Sequence, residues 1–590
     1  MSTFLSLMHR LPFWAWLRPS PTQLRQDVFA GLTVGLMLVP QAIAYASLAG
    51  MPLETGLYAA ILPLLLVTLL ASSPRLGVGP TALSSLMIAA ALAPMAAAGS
   101  AQWVTLAVWL ALLAGLIQIA LGAARLDWLL NVVTVPVLSG FTQAAAILIM
   151  ASQVPALTGV SWDAWLTVAS VQDIWNLLSS MDHRALLFGT VGIAAFIYTR
   201  RFGATIPWAA LILAAAAVVS ALTGYAASGS AVIGELQVQL HGLSIPVWPG
   251  LQVLGQLVVP AVVIALMSFV EVATSAKTEH ALAGTQWRPA QDLIAQGVGK
   301  VVSGLSGSFS TSASLSRSAV MHYAGAATGW ANLFAAALVL AAALWLTPLL
   351  KHVPLSLLAA LVVVSVMGLI KPRAFQKFWA FSRVEAGIAL LTMAVTLVSA
   401  PRIYWGVLAG LLANLAYFMH QRLHPRIIEV GEFPEDGRLR DRFLWHLPPL
   451  AENVLALRLD AGLDFATATA LERRVVASWD AFPHMHSICL VASSINNIDA
   501  TGLETLYQLR TMVAKRKGKL YLSGMKLPLE KRLTTAGLLA DKQYVHVFKT
   551  EAQTVQQLRL LQHPDSAAPQ GLIAYTAKHD AVLNKTSQQQ

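Results

Sequence analysis

The length of its apolar stretches is the strongest constraint on what this chain can fold into. A helix needs about 20 apolar residues to cross a bilayer. Stretches that reach or approach this begin near Val28, Gly56, Thr81, Gln102, Leu130, Ala185, Pro207, Leu251, Gln291, Ser312, Gly329, Pro354, Val384 and Ile403, about fourteen in all. Charge follows the same division. Residues up to Arg426 hold 20 of the 39 Lys/Arg and 11 of the 28 Asp/Glu, although they make up most of the 590-residue chain. Only 11% of all residues are charged, where soluble domains carry roughly 25%. The expected organisation is a short cytoplasmic segment at 1–27 and a polytopic α-helical membrane domain at 28–426. A linker at 427–440, a small α/β domain at 441–562 and a disordered tail at 563–590 follow.

An even number of spans puts both termini on one side. With that side cytoplasmic, the inner loops hold fifteen Lys/Arg, among them Arg75, Arg125, Arg200, Arg201, Arg288 and Arg373, against three outside, Arg184, Lys351 and Arg402. This positive-inside asymmetry fixes the expected orientation in a cell (inner) membrane. The N-terminus shows no cleavable signal pattern. Trp14, Trp103 and Trp128 are expected as interfacial anchors.

Two stretches break the apolar pattern: Gly77-Val78-Gly79-Pro80-Thr81 and Ser306-Gly307-Ser308-Phe309-Ser310-Thr311-Ser312. Extended backbone at membrane depth must be buried in protein or line a cavity. Each runs into an apolar helical stretch, so each is expected to start a half-helix. A shift of 230 residues superposes Gln41 on Glu271, Thr81 on Thr311 and Ser84 on Ser314. Matched interruptions in two halves point to an inverted-repeat transporter with its substrate site between them.

Free N–H groups and the positive dipole end make a half-helix start an anion site. Starts at Thr81 and Thr311 would supply one, with hydroxyls from Ser84, Ser85, Ser310, Ser312 and Ser314. Arg317 adds a fixed cation, unless it snorkels to headgroups. Glu271 ends the apolar run Val263–Val270, where a carboxyl is costly and needs a partner, a proton or an ion. It is the candidate for cation coupling, by H+ or by Na+ shared with Ser275; the alternative is an ion pair with Lys300 or Arg317. Gln41 follows Pro40, which removes a backbone donor; it either contacts substrate or hydrogen-bonds a neighbouring helix. The role of Lys300 stays open.

After about Glu429, Val454–Leu459 and Ser487–Val491 are expected as buried strands, with further strands at 519–523 and 544–549. Helices are expected at 465–479, 501–515 and 528–539. In the loop Asn496–Glu504, Asp499 or Thr501 would cap the helix, and a phosphate on Thr501 would make the place regulatory. The single cysteine, Cys489, rules out an internal disulfide and cysteine-ligated clusters. No GxxxxGK[ST], HExxH or GxSxG pattern supports an enzyme, and the positive charge lies around apolar segments, which speaks against nucleic acid.

Gly31-Leu32-Thr33-Val34-Gly35, Val39-Pro40-Gln41-Ala42-Ile43-Ala44-Tyr45-Ala46, Gly56–Ala60 and Gly77–Pro80 resemble the first spans of the sulfate permease (SulP) family. Ser314-Leu315-Ser316-Arg317-Ser318-Ala319-Val320 resembles its second signature, and Asp499–Gly502 the loop of its C-terminal STAS domain. The resemblance spans roughly residues 20–560. It implies two inverted seven-span repeats, core and gate domains, elevator-like movement and commonly a homodimer. It places the substrate cavity at Gln41, the two half-helix starts and Arg317, and the coupling ion at Glu271. Ser310, Ala313, Met321 and Lys300 depart from the family pattern and leave the preferred anion open. The expected function is secondary active transport of a small inorganic anion, sulfate first, coupled to H+ or Na+ with no other cofactor. Alternatives are a bicarbonate or C4-dicarboxylate symporter, an uncoupled channel or exchanger, and a membrane-anchored signalling scaffold whose STAS domain binds a cytoplasmic protein. The scaffold leaves Gln41, Glu271 and Arg317 without a reason to be in the membrane.

Overall fold

The structure, a computed structural model, describes residues 12–161, 171–202, 206–238 and 242–562. The tail expected at 563–590 lies outside the described residues. The chain divides into two compact units, residues 1–414 and 415–590.

A helix answers each expected membrane stretch. The first half contributes Pro21–Leu48, Leu53–Leu70, Ala82–Leu92, Ala101–Ala123, Val135–Ser152, His183–Thr199 and Trp208–Leu222. The second contributes Leu251–Ala283, Pro289–Leu305, Leu315–Tyr323, Trp330–Trp345, Leu355–Met367, Arg383–Val398 and Tyr404–Leu423. An odd number per half makes the second half run opposite to the first. In both, the third member is short and follows extended chain, the arrangement of an inverted repeat. The first helix starts at Pro21, inside the segment expected to precede it. Ser20 and Gln23 form a reciprocal capping box there, and proline suits the first turn. Asp27 on this helix is buried and accepts from Ala327 N (2.7 Å) and Thr328 N (2.9 Å), which ties the helix to the turn before Trp330.

Small residues set the packing. A Cβ on Gly31 would lie 2.4 Å from the Ala331 carbonyl oxygen, and one on Gly56 2.0 Å from that of Ala42, so these helices meet backbone to backbone. Trp103, unlike the exposed Trp14 and Trp128, is buried and donates to Ala49 O at 2.9 Å. It anchors a neighbouring helix rather than the lipid interface.

The second unit is a six-stranded sheet. Numbering all strands in chain order, the membrane unit holds β1 (Val78–Gly79) and β2 (Ser312–Ala313). The sheet holds β3 (Ile427–Glu432), β4 (Leu439–Asp441), β5 (Val454–Leu459), β6 (Ser487–Val491), β7 (Leu520–Ser523) and β8 (Val545–Phe548). The order is β4-β3-β5-β6-β7-β8, with β5 to β8 parallel and β3 antiparallel to both neighbours. Helices Ala468–Ala481, Ala500–Lys515 and Leu527–Thr535 follow the strands as expected, and Glu551–Gln562 adds a fourth. Residues 427–440, expected as a linker, instead supply β3 and most of β4. Glu429 and Glu432 interrupt the apolar pattern there, but Arg442 and Arg559 pair with them.

Candidate functional site

The two broken segments meet. β1 pairs antiparallel with β2, Val78 opposite Ala313 and Gly79 opposite Ser312. Two further bonds close the ladder: Ser314 N donates to Gly77 O (2.9 Å) and Gly77 N to Ser318 Oγ (3.0 Å). The first half-helix starts where the sequence predicts, with Thr81 Oγ1 accepting from Ser84 N at 3.3 Å. The second does not. Its cap is Ser314, accepting from Arg317 N, three residues beyond the expected Thr311. The ladder to β1 keeps Ser312 and Ala313 extended, so the helix cannot begin before them. The structural counterpart of Thr81 is therefore Ser314.

This correction places Arg317 in the first turn of its half-helix, where a cation opposes the helix dipole. Arg317 is fully buried, which excludes snorkelling. Its Nε donates to Gly77 O (3.4 Å) and its Nη1 to Gln41 Oε1 (3.3 Å); Nη2 has no hydrogen-bond partner. Ser85 Oγ, Ser310 Oγ and Thr311 Oγ1 are likewise buried without partners. Buried polar groups are normally satisfied. Unspent donors beside two positive helix ends are what an anion would complete.

Glu271 faces the same place. Thr81 Oγ1 lies 3.4 Å from its Oε2, and the Ser312 hydroxyl, which donates to Ser268 O at 3.0 Å, is also within its reach. Lys300 and Arg317 both act on the Glu271 carboxylate through space, but neither forms an ion pair with it among the described residues. Lys300 is buried, and its ammonium has no hydrogen-bond partner. Ser275 is not brought to the carboxylate: its hydroxyl bonds back to the Glu271 carbonyl (3.2 Å). Ser84 takes part through its backbone. Tyr45, one turn beyond Gln41, is buried on the same helix, and sequence reasoning passed over it. The four-residue spacing, which puts both side chains on one helix face, was the available signal. Gln41 also borders a cavity of about 230 Å³ with Thr33, Arg200, Trp208, Val320 and Ser365.

In the other unit Asp499 caps its helix, accepting from Gly502 N (2.8 Å) and also from Phe465 N (2.9 Å). The Gly502 N–H first, with the Phe465 N–H and further backbone donors, holds its carboxyl below the ordinary carboxylate range, against the upward push of burial. Thr501 is exposed in the first turn of that helix.

Paired half-helices, a buried guanidinium and a separate α/β unit define a multi-pass membrane transporter with an appended α/β domain. Comparison gives the family. Residues 24–392 match the sulfate permease family and residues 449–554 the STAS domain. A probable sulfate transporter of Mycobacterium tuberculosis is 32% identical over 539 residues, 91% of this chain and 95% of the relative. The murine Slc26a9 anion transporter in its inward-facing state superposes with a TM-score of 0.82 at 19% identity, over 94% of this chain and 95% of that one. The transmembrane domain of a cyanobacterium bicarbonate transporter, BicA, gives 0.56 at 24% identity, over 68% and 99%. The chain belongs to the sulfate permease family, and family and fold make it an anion transporter.

Proposed function

We propose that the protein is a secondary active transporter of an inorganic anion, sulfate first, working by elevator-type alternating access coupled to H+ or Na+. The observation that carries this reading is the β1–β2 ladder, which turns two half-helix N-termini toward one point beside the buried Arg317. The anion is held by N–H groups of the two first turns, by Arg317 Nη2 and by the free hydroxyls of Ser310 and Thr311, with Gln41 orienting the guanidinium. Glu271 binds the coupling cation and links its binding to movement of the core. Sulfate is favoured by the similarity to the mycobacterial protein.

The cavity at Gln41 is lined by Arg200 and Trp208, which the positive-inside asymmetry assigns to the cytoplasmic side. This supports an inward-open state in an inner membrane with both termini cytoplasmic. The STAS domain regulates: Asp499 holds the helix start, and Thr501 offers a hydroxyl for a phosphate or a contact for a protein partner. A homodimer is the expected assembly.

Proteoliposomes loaded without substrate test the reading. Labelled sulfate should accumulate against its gradient when a pH or Na+ gradient is imposed, and competition with bicarbonate, chloride and a C4-dicarboxylate ranks the anions. Currents indifferent to those gradients would favour a channel. Absence of flux under every gradient would leave the scaffold.

A further inference from the structure

Lys300 is fully buried in the membrane unit, and nothing is assigned to it. Its helix, Pro289–Leu305, lies backbone to backbone against Ala101–Ala123: a Cβ on Gly297 would sit 2.6 Å from the Gly115 carbonyl oxygen, and one on Gly115 2.6 Å from that of Gly297. One residue from Lys300, a Cβ on Gly299 would come 2.5 Å from Val67. The lysine is fully buried and its Nζ lacks a hydrogen-bond partner. An ammonium walled in this way cannot snorkel to water, and a buried charge needs a counter-charge.

The surroundings leave one candidate. Ala101–Ala123 carries no ionisable side chain, and Leu53–Leu70 carries Glu54, in its first turn, and the phenol Tyr58, which is no counter-charge at neutral pH. Asp127, in the turn Asp127–Val132 packed on the Lys300 helix, follows the Gly122 that meets Ala290 and Ile294, well over a turn before Lys300. On its own helix, Asp292 is taken up by Ser72 Oγ (2.8 Å), Ser73 Oγ (2.7 Å) and Trp287 Nε1 (2.8 Å). On Leu251–Ala283, Lys277 and His280 lie toward the cytoplasmic end, where Glu279 is paired with Arg75 at 3.0 Å. That leaves Glu271, the group whose charge acts on Lys300 and also on Arg317.

Resting on the transporter reading, we propose that Lys300 is a resident cation that sets the charge of the loaded site. It occupies the electrostatic place of a bound Na+ beside Glu271, and it lets the core carry a divalent anion together with one proton. The reasoning is charge balance in a medium where net buried charge is costly. With Glu271 ionised, Lys300 and Arg317 leave one positive charge over, which a monovalent anion neutralises. A divalent anion is neutralised only when Glu271 also takes up a proton. A Na+ ion at Glu271 would share the buried site with two fixed cations, and like charges repel. The turned-away Ser275 hydroxyl removes an oxygen that such an ion would use.

The test compares wild type, Lys300→Gln and Lys300→Arg in proteoliposomes, with labelled sulfate and with labelled chloride. Wild type should accumulate sulfate on an acid-outside gradient and ignore a Na+ gradient at clamped pH, while its chloride uptake ignores both. In Lys300→Gln, sulfate uptake should fall at least ten-fold and chloride uptake should become dependent on the acid gradient. Lys300→Arg should behave as wild type. Sulfate accumulation by wild type on Na+ alone, or equal sulfate uptake in wild type and Lys300→Gln, overturns the proposal. If wild type moves no anion, the transporter reading itself fails. Sulfate-dependent thermal stabilisation of the purified protein then decides Lys300: a Tm rise in wild type and Lys300→Arg but not in Lys300→Gln supports it, and an equal rise in all three, or none in any, overturns it.

Discussion

Arg317 Nη1 donates to Gln41 Oε1 at 3.3 Å across 276 positions of sequence, and this bond aims a guanidinium whose other nitrogen has nothing to bind. The two residues therefore divide the work: Arg317 supplies the charge and Gln41 its direction. Arg317→Ala should abolish uptake, because no other cation occupies the first turn of either half-helix. Arg317→Lys should recover little, since a point charge lacks the planar fork that reaches Gln41 and an anion together. Gln41→Ala should keep transport but raise KM. Hydrogen bonds to charged groups contribute about 1.5–3 kcal/mol, or roughly 10- to 150-fold. Concentration-dependent sulfate uptake measures all three.

Gly77 lies where β1 begins, against the half-helix that carries Arg317. A Cβ there would come 2.6 Å from Arg317 Cβ and 3.1 Å from its carbonyl carbon. Nothing flexible can yield at those distances, so Gly77→Ala must push the half-helix away and loosen the Gly77–Ser314 and Gly77–Ser318 bonds. The expected outcome is loss of most uptake with near-normal membrane insertion. Normal uptake in this variant would show that the ladder does not set the anion site.

The membrane helices were legible because bilayer thickness imposes a length, and the half-helices because glycine and hydroxyl residues interrupt that length. Their register was harder. Thr311 was the expected start, yet Ser314 carries the same kind of capping hydroxyl, and only the pairing of Val78–Gly79 with Ser312–Ala313 selects it. The strands β3 and β4 were hidden for another reason. Glu429 and Glu432 look like linker residues until Arg442 and Arg559, the latter 127 positions away, come to neutralise them. The burial of Lys300 was equally invisible, since it depends on which helix face meets Gly115 and Val67.

Glu271→Gln removes the charge but keeps the shape and the oxygen that faces Thr81. Uptake should lose its response to an imposed cation gradient, while exchange of internal for external anion persists. Measuring sulfate counterflow beside gradient-driven accumulation separates the two. Retained gradient dependence would remove Glu271 from the coupling step.

Asp499 satisfies two backbone donors from different segments, Gly502 N and Phe465 N. Asp499→Ala should cost about 1 kcal/mol, the usual loss for an N-cap. Hydrogen exchange in the full-length protein should rise at residues 465 and 500–504 before it rises in β5 or β6. The sign with pH follows from the depressed carboxyl. The contribution is complete above about pH 4, the ordinary aspartate value, and is lost as the pH falls through the lower folded-state value. At neutral pH, then, the difference between wild type and variant should be constant, and it should close in acid.

Cys489 lies fully buried in β6, opposite Ala456 of β5 on one side and Tyr521 of β7 on the other, and burial first, with the Glu551 charge second, pushes its thiol up to about 12. Only the thiolate is nucleophilic. At pH 8 a group titrating near 12 presents roughly one thiolate in ten thousand, against about one in four for a free cysteine near 8.5. The folded protein should therefore resist iodoacetamide over hours at pH 8, and denaturant should expose one reactive thiol per chain. Because Cys489 is the single cysteine, the alkylation rate at increasing urea reports opening of the STAS sheet alone. Rapid labelling of the native protein would mean that β6 is accessible, and would contradict the central place of this strand in the sheet.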